Sequence, residues 1–230
     1  RRGCGQEAES PRDERRPTAR LVSGPAVRQP RRAREGPSRE GAPRNPAPRG
    51  NAAERILAAA AEAAGQLGAA QVSLQTVAGV AGVSKALIHY HFRDRDALLA
   101  QLADWLTASL VAGEEAALAD ADATGGLDAL WAWLGGELAA GSIRALVDLA
   151  QERGAPVRAA VRRSREARRA QAARTVEWLF GALSLTPRLP APLLADVTVA
   201  FTDGLAGEAA VEPEANHRLR FDVFWLSVLN

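Results

Sequence analysis

The chain has 230 residues, 47% of them hydrophobic, and a formal net charge of +2. That is long enough for two small domains or one larger one with a sizeable core. One cysteine, Cys4, excludes an intrachain disulfide, and no apolar run approaches the length of a membrane span. The N-terminus lacks the apolar core of a signal peptide, so a soluble cytoplasmic protein with no membrane partner is expected.

Residues 1–50 hold 13 Arg against 6 acids and eight of the thirteen prolines, with almost no large apolar side chains. Such a segment cannot bury enough surface to offset its chain entropy, and it is expected to be a disordered basic extension. Its arginines suit nonspecific attraction to phosphates. The remaining 180 residues are mildly acidic, so any basic surface on the folded body must be local.

A first helix is expected from about Asn51 to Leu67, with Ile56, Ala60, Ala63 and Leu67 as its apolar stripe and Gly68 as its end. Residues 73–92 then form two short helices around a tight turn. Ser73 and Ser84 are each placed as N-caps, and Gly82 supplies the turn, where positive φ costs nothing. Leu74, Val77, Ala78 and Ala81 recur at helical spacing in the first of the two. Val83 plugs the angle between them. Ile88 and Phe92 share the inner face of the second, leaving Lys85, Ala86, His89 and Tyr90 outside. This is the pattern of a helix-turn-helix, whose second helix enters the major groove by its N-terminal end.

Several side chains in this stretch suit duplex DNA. Lys85 can reach a phosphate or the O6/N7 edge of guanine, and Gln75 can pair with adenine N6/N7. Ala86 and Leu87 offer contact to thymine methyls, Leu87 serving equally well as core. Tyr90 and His91 can donate to phosphates.

A fourth helix begins near Asp94 and turns Leu98, Leu102, Trp105 and Leu106 inward. Beyond Ala112 the chain reads as helices with short breaks. Gly125-Gly126 precedes a helix striped with Leu127, Leu130, Trp131, Leu134 and Leu138, from which Trp133 stands aside. Another helix holds Ile143, Leu146 and Val147. A long one runs from about Pro156 to Ser184, its Arg-rich first half taken as a solvated face. The last two span about Ala191–Ala210 and Glu214 to the end. Asp148 is placed to pair with Arg144 at i, i+4.

Residues 51 to about 110 resemble the DNA-binding domain of TetR-family transcriptional regulators. The likeness lies in Ser73, the turn Ala81-Gly82-Val83-Ser84, the run His89-Tyr90-His91-Phe92, Arg95, and Leu98-Leu99. Ala86 stands where the family commonly has Gly, and His89 where it usually has Tyr. The resemblance implies an all-α chain with a helix-turn-helix domain over 51–97 and a ligand-binding and dimerisation domain over 98–230. It implies a repressor released from a palindromic double-stranded operator by a small apolar or aromatic effector. The alternatives are an activator or ligand-independent regulator, or a helical enzyme with a DNA-binding head. By the same resemblance Arg95 lies against the DNA backbone, and Ser73, Ser84, His89 and Tyr90 join the DNA-binding set. The effector pocket takes Trp105, Trp131, Leu134, Leu146, Asp148 and Trp178. The homodimer uses Leu194, Val197, Phe201 and Leu205 with Leu219, Val223, Phe224 and Leu226.

No phosphate loop, dinucleotide fingerprint or nucleophile elbow occurs. His89 and His91, two apart on a helix, point about 200° apart and do not make a zinc pair. No metal, cofactor or catalytic residue is expected.

Overall fold

The computed structural model describes residues 52–230; the basic extension expected over 1–50 lies outside the described residues. Among the described residues there are nine α-helices and one 3₁₀ turn. The described residues are all-α, as the periodicity indicates.

Helix α1 (Ala52–Leu67) buries Ile56, Ala60 and Ala63 on one stripe. A 3₁₀ turn at Ala69–Gln71, which the periodicity did not indicate, leads into α2 (Leu74–Ala81). Ser73 Oγ accepts from the Thr76 amide at 3.0 Å and so satisfies a free first-turn donor. The turn is made by Gly82, whose φ of 63° and ψ of 34° place it in the left-handed region. Helix α3 (Lys85–His91) is capped by Ser84, whose Oγ accepts from the Leu87 amide at 3.2 Å. A third cap, Asp94 Oδ1 on the Ala97 amide at 2.8 Å, opens α4 (Arg95–Ala119). Each cap is worth about 1 kcal/mol, and the first two stabilise helices too short to persist alone. Ile88 and Phe92 are fully buried, with Val72 and Val77 in the same core. Burying such a side chain is worth about 1.5–3 kcal/mol.

The rest of the chain packs on α4. It comprises α5 (Gly126–Ala140), α6 (Ser142–Leu149), α7 (Ala155–Ala182), α8 (Ala191–Val211) and α9 (His217–Leu229). Helix α9 starts three residues after Glu214, because Asn216 caps it through the Leu219 amide at 3.0 Å. Helices α4 and α7 run together, joined inside by Thr107 Oγ1 donating to Ser164 Oγ at 2.6 Å. At the surface they are joined by Arg163–Asp104 at 2.7 Å and Arg174–Glu115 at 2.8 Å. The arginines Arg158, Arg162, Arg165 and Arg169 of α7 are exposed, while Arg168 is half-buried on Asp203 at 2.6 Å.

The three-helix head meets the body at two places. Gly65 of α1 packs so closely on the α5–α6 corner that a Cβ there would lie 2.3 Å from the Ala140 carbonyl oxygen. At the second, Arg95 bridges the 3₁₀ turn and Glu152. Its Nε donates to the Val72 carbonyl at 2.7 Å, its Nη2 to the Ala69 carbonyl at 3.1 Å, and its two Nη atoms grip Glu152 at 2.9 and 2.7 Å. The Ala69 amide in turn donates to Asp148 Oδ2 at 3.4 Å, beside the Arg144–Asp148 pair at 3.9 Å.

Candidate nucleic-acid interface and internal cavity

The outer side of the α2–α3 unit is set by what its inner side buries. With Ile88 and Phe92 sealed, Lys85, Ala86, His89 and Tyr90 are left exposed, Tyr90 at 82%. Gln75, on the first turn of α2, is exposed as well. Leu87 and His91 are half-buried, and His91 meets Tyr90 edge-on with ring centroids 5.1 Å apart. Lys85 has no ion-pair partner among the described residues. The surface is thus one amine, one phenol, imidazoles and an amide on a helix capped at both ends, a mixture of donors for phosphates and base edges.

Arg95 differs from the expectation. It faces the joint, and its guanidinium is taken up by three carbonyl oxygens and Glu152. The Glu152 carboxylate beside it raises the Arg95 pKa, and Arg95 in turn lowers that of Glu152. A cation already satisfied in this way is a brace for the turn before α2, not a free hand for phosphate.

A cavity of about 50 Å³ lies within the body. Helices α4 and α5 contribute Leu110, Glu114, Trp133 and Leu134; α7 contributes Gln171 and Thr175. Aromatic rings close it from α8 and α9: Phe201, Phe221, Phe224 and Trp225. Phe201 and Phe224 are stacked, 4.1 Å between centroids and 5° between planes. Glu114 accepts from Thr175 Oγ1 at 2.5 Å. Burial pushes the Glu114 carboxyl above its ordinary pKa, against the opposing pull of Thr175, Arg168, Arg174 and Gln171. The Trp133 indole nitrogen is buried without an acceptor.

Of the six residues expected in a pocket, the structure brings only Leu134 to this cavity. Trp105 lines a surface groove with Glu62 and Glu137. Trp131 packs on Phe221 and carries the Arg218 guanidinium 5.8 Å above its ring. Trp178 lies over Gly126, where a Cβ would be 2.6 Å from the indole. Leu146 is buried and borders a separate cleft toward Arg165. Asp148 is corrected to the head–body joint, held by Arg144 and the Ala69 amide. Sequence reasoning missed Glu114, Gln171 and Thr175.

The dimer set divides too. Leu194 and Leu205 are buried within the chain, and Phe201 and Phe224 are spent on each other. Val197, Leu219, Val223 and Leu226 are 46–70% exposed. Among the described residues, no group of three or more His, Cys, Asp or Glu could hold a metal ion, and no helix is long and apolar enough to cross a membrane.

Comparison with known proteins places these features. Residues 56–102 match the family of bacterial regulatory proteins called the tetR family. No curated protein matches the chain. Among solved structures, a protein assigned to the TetR-family transcriptional regulators from Rhodococcus sp. is 22% identical, with a TM-score of 0.63 over 78% of this chain and 98% of its own. A Rhodococcus sp. RHA1 protein of unknown function is 27% identical, with a TM-score of 0.58 over 81% of this chain and 100% of its own. The transcriptional regulator FadR from Bacillus subtilis, solved with stearoyl-CoA, is 14% identical, with a TM-score of 0.59 over 77% of this chain and 97% of its own.

Proposed function

We propose that this chain, a TetR-family transcriptional regulator, is a repressor that binds a near-palindromic operator as a homodimer and is released by a small molecule held in the body. The single observation that carries the reading is the division of labour between the two parts. A capped recognition helix turns Lys85, Ala86, His89 and Tyr90 outward. A separate cavity, walled by aliphatic and aromatic side chains, lies where α4, which begins just after that helix, runs into the body. That the FadR structure of the same fold was solved with stearoyl-CoA supports a body able to take a ligand.

In this reading Lys85 and Gln75 contact base edges or phosphates, and Ala86 and Leu87 meet thymine methyls. His89, Tyr90 and His91 donate to the backbone. Ser73 and Ser84 serve the interface by fixing the helix N-termini, where backbone N–H groups favour phosphate. The two recognition helices of a dimer would enter successive major grooves about 34 Å apart. Release is a population shift: the ligand must bind more tightly to a conformation in which that spacing is lost, since equal affinity for both states would shift nothing.

The test is selection of binding sites from a random duplex pool with the full chain, followed by titration of the selected site. A palindrome bound by two chains is expected. Lys85→Ala should weaken the selected site by about tenfold, a loss of about 1–3 kcal/mol for a base-edge contact. If random duplex binds as tightly as any selected sequence, the reading as an operator-specific regulator is wrong.

A further inference from the structure

The polar end of the cavity has a direction. Arg174 donates to Gln171 Oε1, Gln171 Nε2 donates to Thr175 Oγ1 at 3.5 Å, and Thr175 Oγ1 donates to Glu114 at 2.5 Å. Gln171 and Thr175 are each 3% exposed. Every donor in this chain points toward the Glu114 carboxylate, so the chain ends on an acceptor. A carboxylate offers about four lone-pair sites, more than Thr175 Oγ1 and the weaker pull of Gln171 take up.

The nearby cations are committed elsewhere. Arg168 is held by Asp203 at 2.6 Å and by Thr202 at 3.3 Å, and Arg174 by Glu115 at 2.8 Å. The remaining walls are mostly apolar, the rings of Trp133, Phe201, Phe221, Phe224 and Trp225 with aliphatic side chains such as Leu110, Leu130 and Ile143. Aromatic faces attract cations electrostatically, and the half-buried Glu114 carboxylate repels an anion. An apolar ligand without a donor would cover the carboxylate's remaining lone pairs without answering them, which costs more than a hydrogen bond is worth.

We propose that the cavity takes a ring-bearing primary or secondary amine, its ammonium on Glu114 and its ring among the aromatic side chains of α5, α8 and α9. This rests on the reading of the cavity as the effector site and names the class of ligand. At about 50 Å³ the cavity is smaller than the roughly 150 Å³ that admits benzene in a well-studied apolar cavity. A ring therefore enters by moving the walls, and a ligand that favours the widened state is one that shifts the population.

The experiment uses the full chain and three probes that differ only in the head group: 4-phenylbutylamine, 4-phenylbutanol and 4-phenylbutyrate. Binding is followed by tryptophan fluorescence and by calorimetry at pH 7.5 and fixed salt. The amine is expected to bind about tenfold or more tightly than the alcohol, the gain of a charge-assisted hydrogen bond, and the butyrate more weakly than either. Glu114→Gln should bring the amine to the affinity of the alcohol and leave the alcohol unchanged. Glu177→Gln, at an exposed carboxylate of α7 away from the donor chain, should leave the ranking as it is. The wild-type ranking decides even if Glu114→Gln fails to fold. Equal binding of alcohol or butyrate and amine, a preference that survives in Glu114→Gln, or no binding of any probe at millimolar concentration each overturns the proposal. Operator affinity is measured alongside. Amine binding through Glu114 with no change in operator affinity would keep the ligand class and remove the response; operator binding with no amine preference would do the reverse.

Discussion

At the scale of single residues, the same helical position can be core, brace or reader, and burial decides which. Ile88, Phe92 and Lys85 were legible in the sequence because one face of a short helix must be apolar, and what is left over must face out. Arg95 was not, because spacing places a guanidinium on a helix without saying which acceptors lie within its reach; the carbonyls of Val72 and Ala69 and the carboxylate of Glu152 are distant in sequence. Glu114 was missed for a similar reason, as its partner Thr175 lies 61 residues away. It carries a testable consequence. Burial raises its pKa above the ordinary value of 4.5, so the folded state holds a proton more tightly than the unfolded chain does. Its contribution to stability is then fully present below about pH 4.5 and is lost as pH rises through the higher folded value. Glu114→Gln should remove that loss. The difference in unfolding free energy between variant and wild type, measured by urea denaturation from pH 4 to 8, should grow in favour of the variant as pH rises and then level off. A difference that is flat across the range would mean that the carboxyl is not shielded from water.

At the scale of elements, the periodicity found the nine helices of the described residues, and two of their caps follow from side-chain chemistry alone: Ser73 and Ser84. The 3₁₀ turn at Ala69–Gln71 escaped because three residues are too few for a period. That turn is the element on which the head hangs, since Arg95 fixes its carbonyls, Asp148 its first amide, and Glu152 ties Arg95 to the segment between α6 and α7. Helix α6 thus touches the turn at one end while its Ile143 lines the cavity. Arg95 holds the Glu152 carboxyl below its ordinary pKa. The pair's contribution is therefore present above about pH 4.5 and is lost as pH falls through the lower folded value, opposite in sign to Glu114. Both side chains are partly exposed, 33% and 19%, so the worth is modest. Glu152→Gln should cost about 1 kcal/mol or less at pH 7. Because it loosens the turn ahead of α2, it should also change the concentration of a bound effector needed for half release of the operator. Unchanged release with lowered stability would make the pair a brace with no part in coupling.

At the scale of the whole molecule, the last two helices keep an apolar outer surface that the chain does not cover. On α8 the outward side runs Leu193, Val197, Ala200 and Gly204, large side chains giving way to small ones; on α9 it is Leu219, Val223 and Leu226. The sequence stripes suggested a seam without separating its inner from its outer members, because a helix with two apolar faces has no single period. The fold separates them: the stacked pair Phe201–Phe224 turns inward and binds α8 to α9. Large apolar side chains that are half exposed in groups mark a surface meant for a partner, and the isologous pairing of a second copy would bury each of them twice. Val223→Asp, with Val223 54% exposed, would place a carboxylate and its symmetry mate in that contact at a side chain that is not part of the monomer's buried core. The variant should keep the helicity and thermal midpoint of a folded chain, sediment as a monomer at micromolar concentration, and bind the full operator no better than a half-site. Tyr90→Phe, on the outer side of α3, should leave the dimer intact and weaken DNA binding. If Val223→Asp remains a dimer, the seam lies elsewhere; if the wild type is itself a monomer that binds half-site and full site alike, the homodimer reading fails with it.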